Sequence, residues 1–180
     1  MQELVVLVDE QNNVIGTADK RTVHSKDTPL HRAFSCFVFN SKGQLLLTQR
    51  AKSKKTFPEV WTNTVCGHPA PDEKEEDAAR RRLKEELGIE IENIIFVAPY
   101  RYRFADSNGI VENEICPIYV AHSEMSPQDN PDEIDAWKWI DWEDFLGEIK
   151  TNPAPYSPWC IEEAKLVSNY LLQLQGQGQQ

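Results

Sequence analysis

The sequence predicts a single α/β domain, with a mixed β-sheet and helices on both sides of it. The chain has 180 residues, 40% of them hydrophobic, which is enough for one compact domain with its own core. Short segments rich in β-branched and aromatic residues are interleaved with longer segments that carry helix start and stop signals. Packing helices against a sheet buries the apolar sides of both kinds of element.

The strand predictions rest on short apolar segments bounded by turn residues. The first apolar run is short and carries an early acid, Glu3, so it indicates an edge strand and not a signal peptide. Ser41, Lys42 and Gly43 predict a hairpin turn between the second strand and the third. We expect strands at residues 4–8, 33–40, 44–49, 94–98, 100–103, 111–121 and 136–140.

Three helices are predicted, at residues 73–87, 142–150 and 158–174. Gly88 is the expected C-cap of the first, and Ser157 with Pro158 marks the start of the last. In the first helix, Ala79, Leu83 and Leu87 form an apolar stripe that should face the sheet. No linker divides the chain, so we expect one domain over residues 1–175 and a flexible glycine- and glutamine-rich tail over residues 176–180.

Composition excludes several classes of partner. The net charge of −10 argues against nucleic acid, because binding a polyanion needs a broad basic surface. No apolar run approaches transmembrane length, so we expect no membrane partner. The four cysteines form no CxxC pair and, with no secretory segment expected, are interpreted as reduced thiols of a cytoplasmic protein: Cys36, Cys66, Cys116 and Cys160.

Positive charge is concentrated in two short clusters, at residues 50–55 and 80–84. Either cluster alone is typical of a solvated surface. Both flank the segment 61–89, however, and together they favour a pocket for an anionic substrate.

That segment nearly completes a diphosphate-handling motif, the Nudix box. Arg82 departs from it, because a hydrolase would place a carboxylate there. The pairs Arg81–Glu85 and Arg82–Glu86 have the four-residue spacing of ordinary surface ion pairs, worth about 0.2–0.5 kcal/mol each. The preceding loop and the glycine spacing favour the box instead. The residues that match it are Gly67, Glu73, Arg81, Glu85, Glu86 and Gly88.

A candidate metal site comes from three histidines and two glutamates. His24, His31 and His68 fall in segments that read as loops, where any one histidine alone is more often exposed or locally hydrogen-bonded than functional, and the next segment changes this interpretation. Glu112 and Glu114 share one face of a predicted strand, where like charges repel unless a cation lies between them. Three imidazoles and two carboxylates suit Mn²⁺ or Mg²⁺ and, with distorted geometry, Zn²⁺.

Cys66 and the aromatic residues complete the candidate chemistry. With no thiolate needed as a ligand, Cys66 is free to act as an acid or a base, although a lone cysteine is more often a small buried hydrophobe. Trp159 would matter if the reaction made a cation, because an indole face attracts positive charge by about 0.5–2 kcal/mol.

Four segments together resemble the bacterial type 1 isopentenyl-diphosphate isomerases of the Nudix superfamily. The resemblance covers nearly the whole chain and is weakest across residues 122–135 and in the tail, so His122 receives no role. The segments are Thr62-Asn-Thr-Val-Cys-Gly-His-Pro69, Tyr100-Arg-Tyr-Arg103, Gly109-Ile-Val-Glu-Asn-Glu114 and Ser157-Pro-Trp159.

The resemblance implies a Nudix-type α/β/α sandwich and the interconversion of isopentenyl and dimethylallyl diphosphate. Cys66 and Glu114 would be the proton carriers, Tyr102 the hydrogen-bond partner of Glu114, and Trp159 the wall that stabilises a carbocation. Mg²⁺ would enter with the substrate through Glu86. The resemblance further implies that Arg50, Lys54 and Arg82 bind the diphosphate, and that the metal ligands are His24, His31, His68, Glu112 and Glu114.

Two alternatives stay open at this point. A Nudix pyrophosphohydrolase is supported by the box and weakened by Arg82. A metal-dependent binding module is also possible, since one fold can serve several functions. The sequence leaves undecided which of Cys66 and Glu114 gives the first proton, which metal is bound, and whether the protein is a monomer or a homodimer.

Overall fold

The computed structural model describes residues 3–177, which form two mixed sheets and four helices. The strands are β1 (Leu4–Val8), β2 (Val14–Asp19), β3 (His31–Arg32), β4 (Phe34–Phe39), β5 (Gln44–Arg50), β6 (Trp61–Thr62), β7 (Val65–Gly67), β8 (Ile94–Ala98), β9 (Arg101–Ala105), β10 (Val111–Ile115), β11 (Ile118–His122) and β12 (Ile134–Asp141). The helices are α1 (Lys20–Val23), α2 (Glu75–Leu87), α3 (Trp142–Thr151) and α4 (Pro158–Gln177).

The larger sheet lies between helices on both faces. Its strands run in the order β12-β5-β4-β11-β8, with β6 paired to β5 and β7 paired to β4. Because side chains alternate along a strand, Phe37 of β4 packs with α3 and α4, whereas Val38 packs with α2. The predicted stripe of α2 is fully buried on that second side. The predicted α/β/α sandwich is therefore present.

The smaller sheet has the order β2-β1-β3-β10-β9 and is joined to the larger one by three short connections. β3 leads directly into β4, β8 leads into β9, and β10 leads into β11. β3 pairs parallel with β10 and β4 pairs parallel with β11, so the β3–β4 and β10–β11 segments run side by side through both sheets. This arrangement brings the two sheets together around one cavity.

The segment predicted as one strand over residues 111–121 is two strands. β10 ends at Ile115 and β11 begins at Ile118, with Pro117 between them. Proline has no N–H to donate to a ladder, and the chain changes sheets at this point. Four further strands were not predicted: β2, whose pattern is largely exposed, and the short β3, β6 and β7. His31 accordingly lies on a strand and not in a loop.

Helix α2 begins at Glu75, two residues after the predicted start. Glu73 precedes it, and its carboxylate accepts hydrogen bonds from the Ala70 N–H and from Arg81. The predicted C-cap is confirmed: Gly88 has φ of 64° and donates to the carbonyls of Leu83 and Lys84.

Helix α4 is longer than predicted and continues through Gln177. It therefore includes the first two residues of the predicted tail, and residues 178–180 lie outside the described part of the chain. The Ser157 carbonyl accepts a hydrogen bond from Ile161, and its hydroxyl shares one with Thr62. Among the described residues, no helix combines the length and the apolar character that crossing a bilayer would need.

Candidate active site

The three predicted histidines and two predicted glutamates come together in one buried group, the histidine–glutamate cluster. Their donor atoms all lie within 4.8 Å of one another. His31 Nε2 is 3.2 Å from His68 Nε2, and His68 Nε2 is 2.9 Å from Glu114 Oε1. His24 Nε2 is 3.0 Å from Glu112 Oε2.

Both sheets supply the cluster. His24 is the C-cap of the short helix α1, and His31 lies on β3, where it pairs with Glu114 of β10. Glu112 and Glu114 share one face of β10, as their spacing predicted. His68 follows β7 of the larger sheet. The cluster therefore lies where the two sheets meet.

The hydrogen-bond arrangement fits a cation. His31 Nδ1 is 2.9 Å from the Pro29 carbonyl, so this nitrogen carries the proton and Nε2 presents a lone pair to the cluster. His24 Nε2 and Glu112 Oε2 are buried and, apart from their 3.0 Å contact with each other, have no hydrogen-bond partner among the described residues. Poorly satisfied buried polar atoms are costly, and a divalent ion would satisfy both.

The pKa shifts within the cluster favour unprotonated ligands at His68 and Glu114. Burial lowers the pKa of His68 to about 4, which keeps its imidazole neutral at physiological pH. Burial alone would raise the pKa of Glu114, but the adjacent imidazoles of His31 and His68 hold it well below its usual value. Glu112 also accepts a short hydrogen bond from the Thr56 hydroxyl.

Cys66 lies beside this cluster at the wall of the cavity. Its thiol donates to Asn63 Oδ1 over 2.9 Å and is 3.4 Å from the Ser35 hydroxyl. Burial raises the pKa of the thiol to about 12, so the resting form carries its proton. The following Gly67 is tightly enclosed, since a Cβ there would lie 3.2 Å from the Phe34 ring.

Tyr102 and Trp159 form the aromatic side of the cavity. The Tyr102 hydroxyl donates a hydrogen bond to Glu114, as the resemblance implied, and the two aromatic rings stack with centroids 5.7 Å apart. Phe57, which the sequence did not single out, meets the Trp159 ring edge-on. The Arg50 guanidinium lies over the same indole at 5.6 Å. The ring that was expected to face a carbocation thus already contacts a cation.

The cavity combines these groups with several cations. It has a volume of about 130 Å³ and an open mouth. Lys20 was not predicted, and it pairs with Glu3 at the mouth. The lining residues that carry chemistry are Lys20, His24, Arg50, Lys54, Cys66, His68, Arg82, Tyr102, Glu112, Glu114 and Trp159.

Glu86 lies next to this cavity and not in its lining. It lines a small neighbouring cavity whose wall also includes Arg50, Lys54 and Cys66. Arg82 Nη2 is 2.7 Å from Glu86 Oε1 and 3.0 Å from Glu133 Oε2. Glu133 also contacts Lys54, so it joins two of the predicted phosphate-binding cations. No role was assigned to residues 122–135 from sequence, and Glu133 is one of several acidic residues there, with no pattern that would have distinguished it.

The remaining box residues fix the loop that carries His68. Arg81 donates to both carboxylate oxygens of Glu73, at 2.8 and 2.7 Å, and to the His68 carbonyl at 3.3 Å. Such a bidentate pair is geometrically specific. The box therefore ties the loop before α2 to the helix itself.

Taken together, the cavity offers a thiol and a carboxylate for proton transfer, an aromatic wall, and cations for an anionic group. The thiol and the carboxylate carry opposite protonation states at rest, since Cys66 is protonated and Glu114 is ionised. Such a pair can give a proton to a substrate and take one from it.

Comparison with known proteins agrees with this geometry. The family model described as NUDIX domain matches residues 29–160. The isopentenyl-diphosphate Delta-isomerase of Saccharopolyspora erythraea is 51% identical over 167 residues, covering 92% of this chain and 86% of its own. The enzyme of that name from Citrobacter koseri is 49% identical over 163 residues, covering 90% of each chain.

Solved structures show the same fold. A crystal structure from Deinococcus radiodurans superposes with a TM-score of 0.73 at 25% identity, covering 91% of this chain and 98% of that one. The MutT NUDIX hydrolase of Burkholderia pseudomallei superposes with a TM-score of 0.61 at 23% identity, covering 77% of this chain and 98% of its own. The second likeness concerns the fold alone.

Proposed function

The chain belongs to the NUDIX family and, within it, to the isopentenyl-diphosphate Delta-isomerases, and from this premise we propose that Cys66 and Glu114 perform its proton transfers. The enzyme interconverts isopentenyl and dimethylallyl diphosphate, the allylic starter of isoprenoid biosynthesis. The observation that carries the proposal is the placement of this thiol and this carboxylate in one cavity that Arg50, Lys54 and Arg82 also line.

The reaction moves a double bond by adding one proton and removing another. A proton adds to C4 of the isolated alkene, which leaves a tertiary carbocation at C3, and loss of a proton from C2 forms the new double bond. An alkene is a very weak base, so the acid must be held against C4 in a site that excludes water. Cys66 and Glu114 are the two groups, and the one that donates in the forward direction accepts in reverse.

The aromatic residues support the pair. Tyr102 donates its hydroxyl hydrogen to Glu114 and so fixes the carboxylate's orientation. Trp159 is buried and presents a π face that would stabilise the carbocation at C3. Because Arg50 lies over the same ring, we expect its guanidinium to move toward the diphosphate when substrate binds.

Arg50, Lys54 and Arg82 would hold the diphosphate, with Lys20 as a fourth cation at the mouth. Glu86 would hold a Mg²⁺ that enters with the substrate, since magnesium binds through one or two carboxylates together with substrate phosphates. An arginine at position 82 in place of a hydrolase carboxylate suits an enzyme that must leave its diphosphate intact.

The histidine–glutamate cluster is suited to a resident Mn²⁺ or Mg²⁺, or to Zn²⁺ in distorted geometry. A cation held there would supply positive charge that orients Glu114 and sets its pKa. Anomalous scattering measured at the metal absorption edges of the purified protein would identify the ion.

The pyrophosphohydrolase alternative is not favoured, because the relatives at about half identity carry the isomerase name. A solution assay of the reaction products distinguishes the hydrolase from the isomerase. A hydrolase would release phosphate or a nucleoside monophosphate from a diphosphate substrate, and the loss of Cys66 would leave that release unchanged.

Isomerisation in D₂O tests the proposed function directly. Incubation with isopentenyl diphosphate and Mg²⁺ should give dimethylallyl diphosphate with deuterium in the methyl group derived from C4, as detected by NMR. No allylic signal at high enzyme concentration would show that this cavity does not perform the reaction.

The variants Cys66→Ala and Glu114→Gln should each lower kcat by several orders of magnitude, since each removes one proton carrier. Cys36→Ala is the matched control: it removes a buried thiol from β4 and should keep near-normal turnover. Near-normal turnover of either site variant would refute the role assigned to that residue.

A further inference from the structure

Glu163 is a buried carboxyl group that the reaction as described does not use. It lies in the second turn of α4, on the face packed against the core, and is 0% exposed. Oε1 is 2.7 Å from the Ser35 hydroxyl, whereas Oε2 is buried and has no hydrogen-bond partner. Burying an ionised carboxylate with one unpaired oxygen in a dry core would cost much free energy. Glu163 must therefore either be protonated or have a function that offsets this cost.

Ser35 connects this carboxyl group to the active-site thiol. It lies on β4 directly opposite Cys66 of β7 in the antiparallel register. Its hydroxyl oxygen is 3.4 Å from Cys66 Sγ and 3.5 Å from Cys116 Sγ. Glu163, Ser35 and Cys66 therefore form one line of contacts that leads from α4 to the cavity wall.

The orientation of Asn63 fixes where the Cys66 hydrogen goes. Asn63 Nδ2 donates to the carbonyls of Cys36 and Val65, each at 3.1 Å, so its Oδ1 must be the atom that faces Cys66. The thiol then donates its single hydrogen to Oδ1 over 2.9 Å. Consequently Cys66 Sγ can only accept a hydrogen bond from Ser35.

The same reasoning determines the hydrogen bond between Ser35 and Glu163. A hydroxyl has one hydrogen, and the Ser35 hydrogen can go either to Glu163 Oε1, at 2.7 Å, or to Cys66 Sγ, at 3.4 Å. An ionised Glu163 would take that hydrogen, whereas a neutral Glu163 can donate its own to the Ser35 oxygen and leave the serine hydrogen for Cys66 Sγ. Burial raises the pKa of Glu163 well above its usual value, which agrees with the neutral form. The hydrogens then point in one direction, from Glu163 through Ser35 and Cys66 to Asn63.

We propose that Glu163 is a positioning residue for the isomerase reaction: as a hydrogen-bond donor to Ser35, it frees the serine hydroxyl to hold the sulfur of Cys66. This inference rests on the proposed role of Cys66. Two hydrogen bonds, from Ser35 and to Asn63, fix the side chain of Cys66 on the cavity wall. Reaction rates are sensitive to such positioning, and a misplacement of about 1 Å can cost about one-hundredfold in rate.

The first test compares kcat and KM of Glu163→Leu and Glu163→Gln. The leucine variant cannot donate to Ser35, so kcat should fall about ten- to one-hundredfold while KM changes less than about twofold. The glutamine amide can donate in place of the acid, so kcat should recover to within about threefold of the parent. Glu162→Leu is the matched control, because Glu162 is one residue earlier on α4 and bonds instead to the Tyr100 hydroxyl. Its kcat should be unchanged.

A second measurement does not depend on turnover. The Raman S–H stretching band of Cys66, assigned by its disappearance in Cys66→Ala, reports the hydrogen bonding of this thiol. The band should shift in Glu163→Leu, return in Glu163→Gln and stay unchanged in Glu162→Leu. If the parent protein fails to isomerise the substrate, the Raman result still tests the contact chain, so the two failures are distinguishable.

A third comparison separates positioning from a general loss of packing. If Glu163 acts through Ser35, the double variant Ser35→Ala/Glu163→Leu should lose no more kcat than the larger of the two single losses. Additive losses would overturn the proposal. So would an unshifted Raman band with parental kcat in Glu163→Leu, a glutamine variant as impaired as the leucine variant, or a rise in KM together with a lowered melting temperature.

Discussion

Individual cations around the cavity have electrostatic surroundings that set how they bind an anion. Lys54 is the clearest case, because burial lowers its pKa to about 8, with Glu86 acting in the opposite direction and Arg50, Arg82 and Lys20 adding to the lowering. Its ammonium group contacts Glu133. A lysine in this position loses its charge within the range of pH in which enzymes are ordinarily assayed.

We therefore predict that kcat/KM for isopentenyl diphosphate falls as the pH rises through about 8. Lys54 is charged below that pH and neutral above it, so the proposed diphosphate site of the free enzyme loses one cation as pH increases. A pH profile of kcat/KM measures this effect. Lys54→Arg should flatten the profile, because a guanidinium keeps its charge throughout the range. A decline of the same size in the arginine variant would assign it to another group.

For single residues, the sequence predicted some members of the cavity and not others. Cys66, Glu114 and Tyr102 were found because they occur in patterned segments, and the structure brings them to one cavity. Lys20, Glu133 and Glu163 each lie beside other charged residues, and nothing in the local sequence separates them from solvent-exposed ones. Their environment depends on packing between distant elements, which no local pattern encodes.

At the scale of elements, local chemistry determined the boundaries that could be predicted. The hairpin turn between β4 and β5 and the end of α2 were correct, because glycine takes a left-handed conformation at Gly43 and Gly88. The segment over residues 111–121 was predicted as one strand because its apolar alternation continues across Pro117, whereas the structure assigns its halves to two sheets. β2 was missed because its exposed residues give no apolar alternation.

Two glycine substitutions should have opposite effects on stability. Gly88→Ala should lower the free energy of unfolding by about 1–2 kcal/mol, because φ is 64° and the new Cβ would lie 3.1 Å from Gln128 Cβ. Gly147→Ala, in the exposed interior of α3 with no atom near the new Cβ, should raise it by about 0.5–1 kcal/mol. Chemical denaturation of the two variants checks both signs. Equal effects would contradict the assignment of the left-handed cap.

On the scale of the whole molecule, the histidine–glutamate cluster joins the two sheets. Four of its residues belong to the smaller sheet or to the helix beside it, and His68 follows a strand of the larger one. A cation bound by all five would hold the sheets together in addition to its role in the reaction. Any ligand that binds only the folded state stabilises it.

Removal of the metal should therefore lower the melting temperature of the whole protein. An ion present at about one hundred times its Kd contributes about 2.7 kcal/mol to the free energy of unfolding, which chelation removes. Differential scanning calorimetry with and without EDTA measures the shift. His68→Ala should reduce the shift, whereas His122→Ala should retain it, since His122 is exposed on β11 and lies outside the cluster. An EDTA shift that is the same in all three proteins would place the stabilising ion elsewhere.

The packing of α4 has a consequence for the cavity. This helix supplies Trp159 to the cavity and Glu163 to the contacts behind Cys66, whereas the cations and the candidate metal ligands come from other elements. Its residues Cys160, Ala164 and Val167 also fill the core beside the larger sheet. Local opening of α4 would therefore remove Trp159 from the cavity and admit water, which would capture a carbocation.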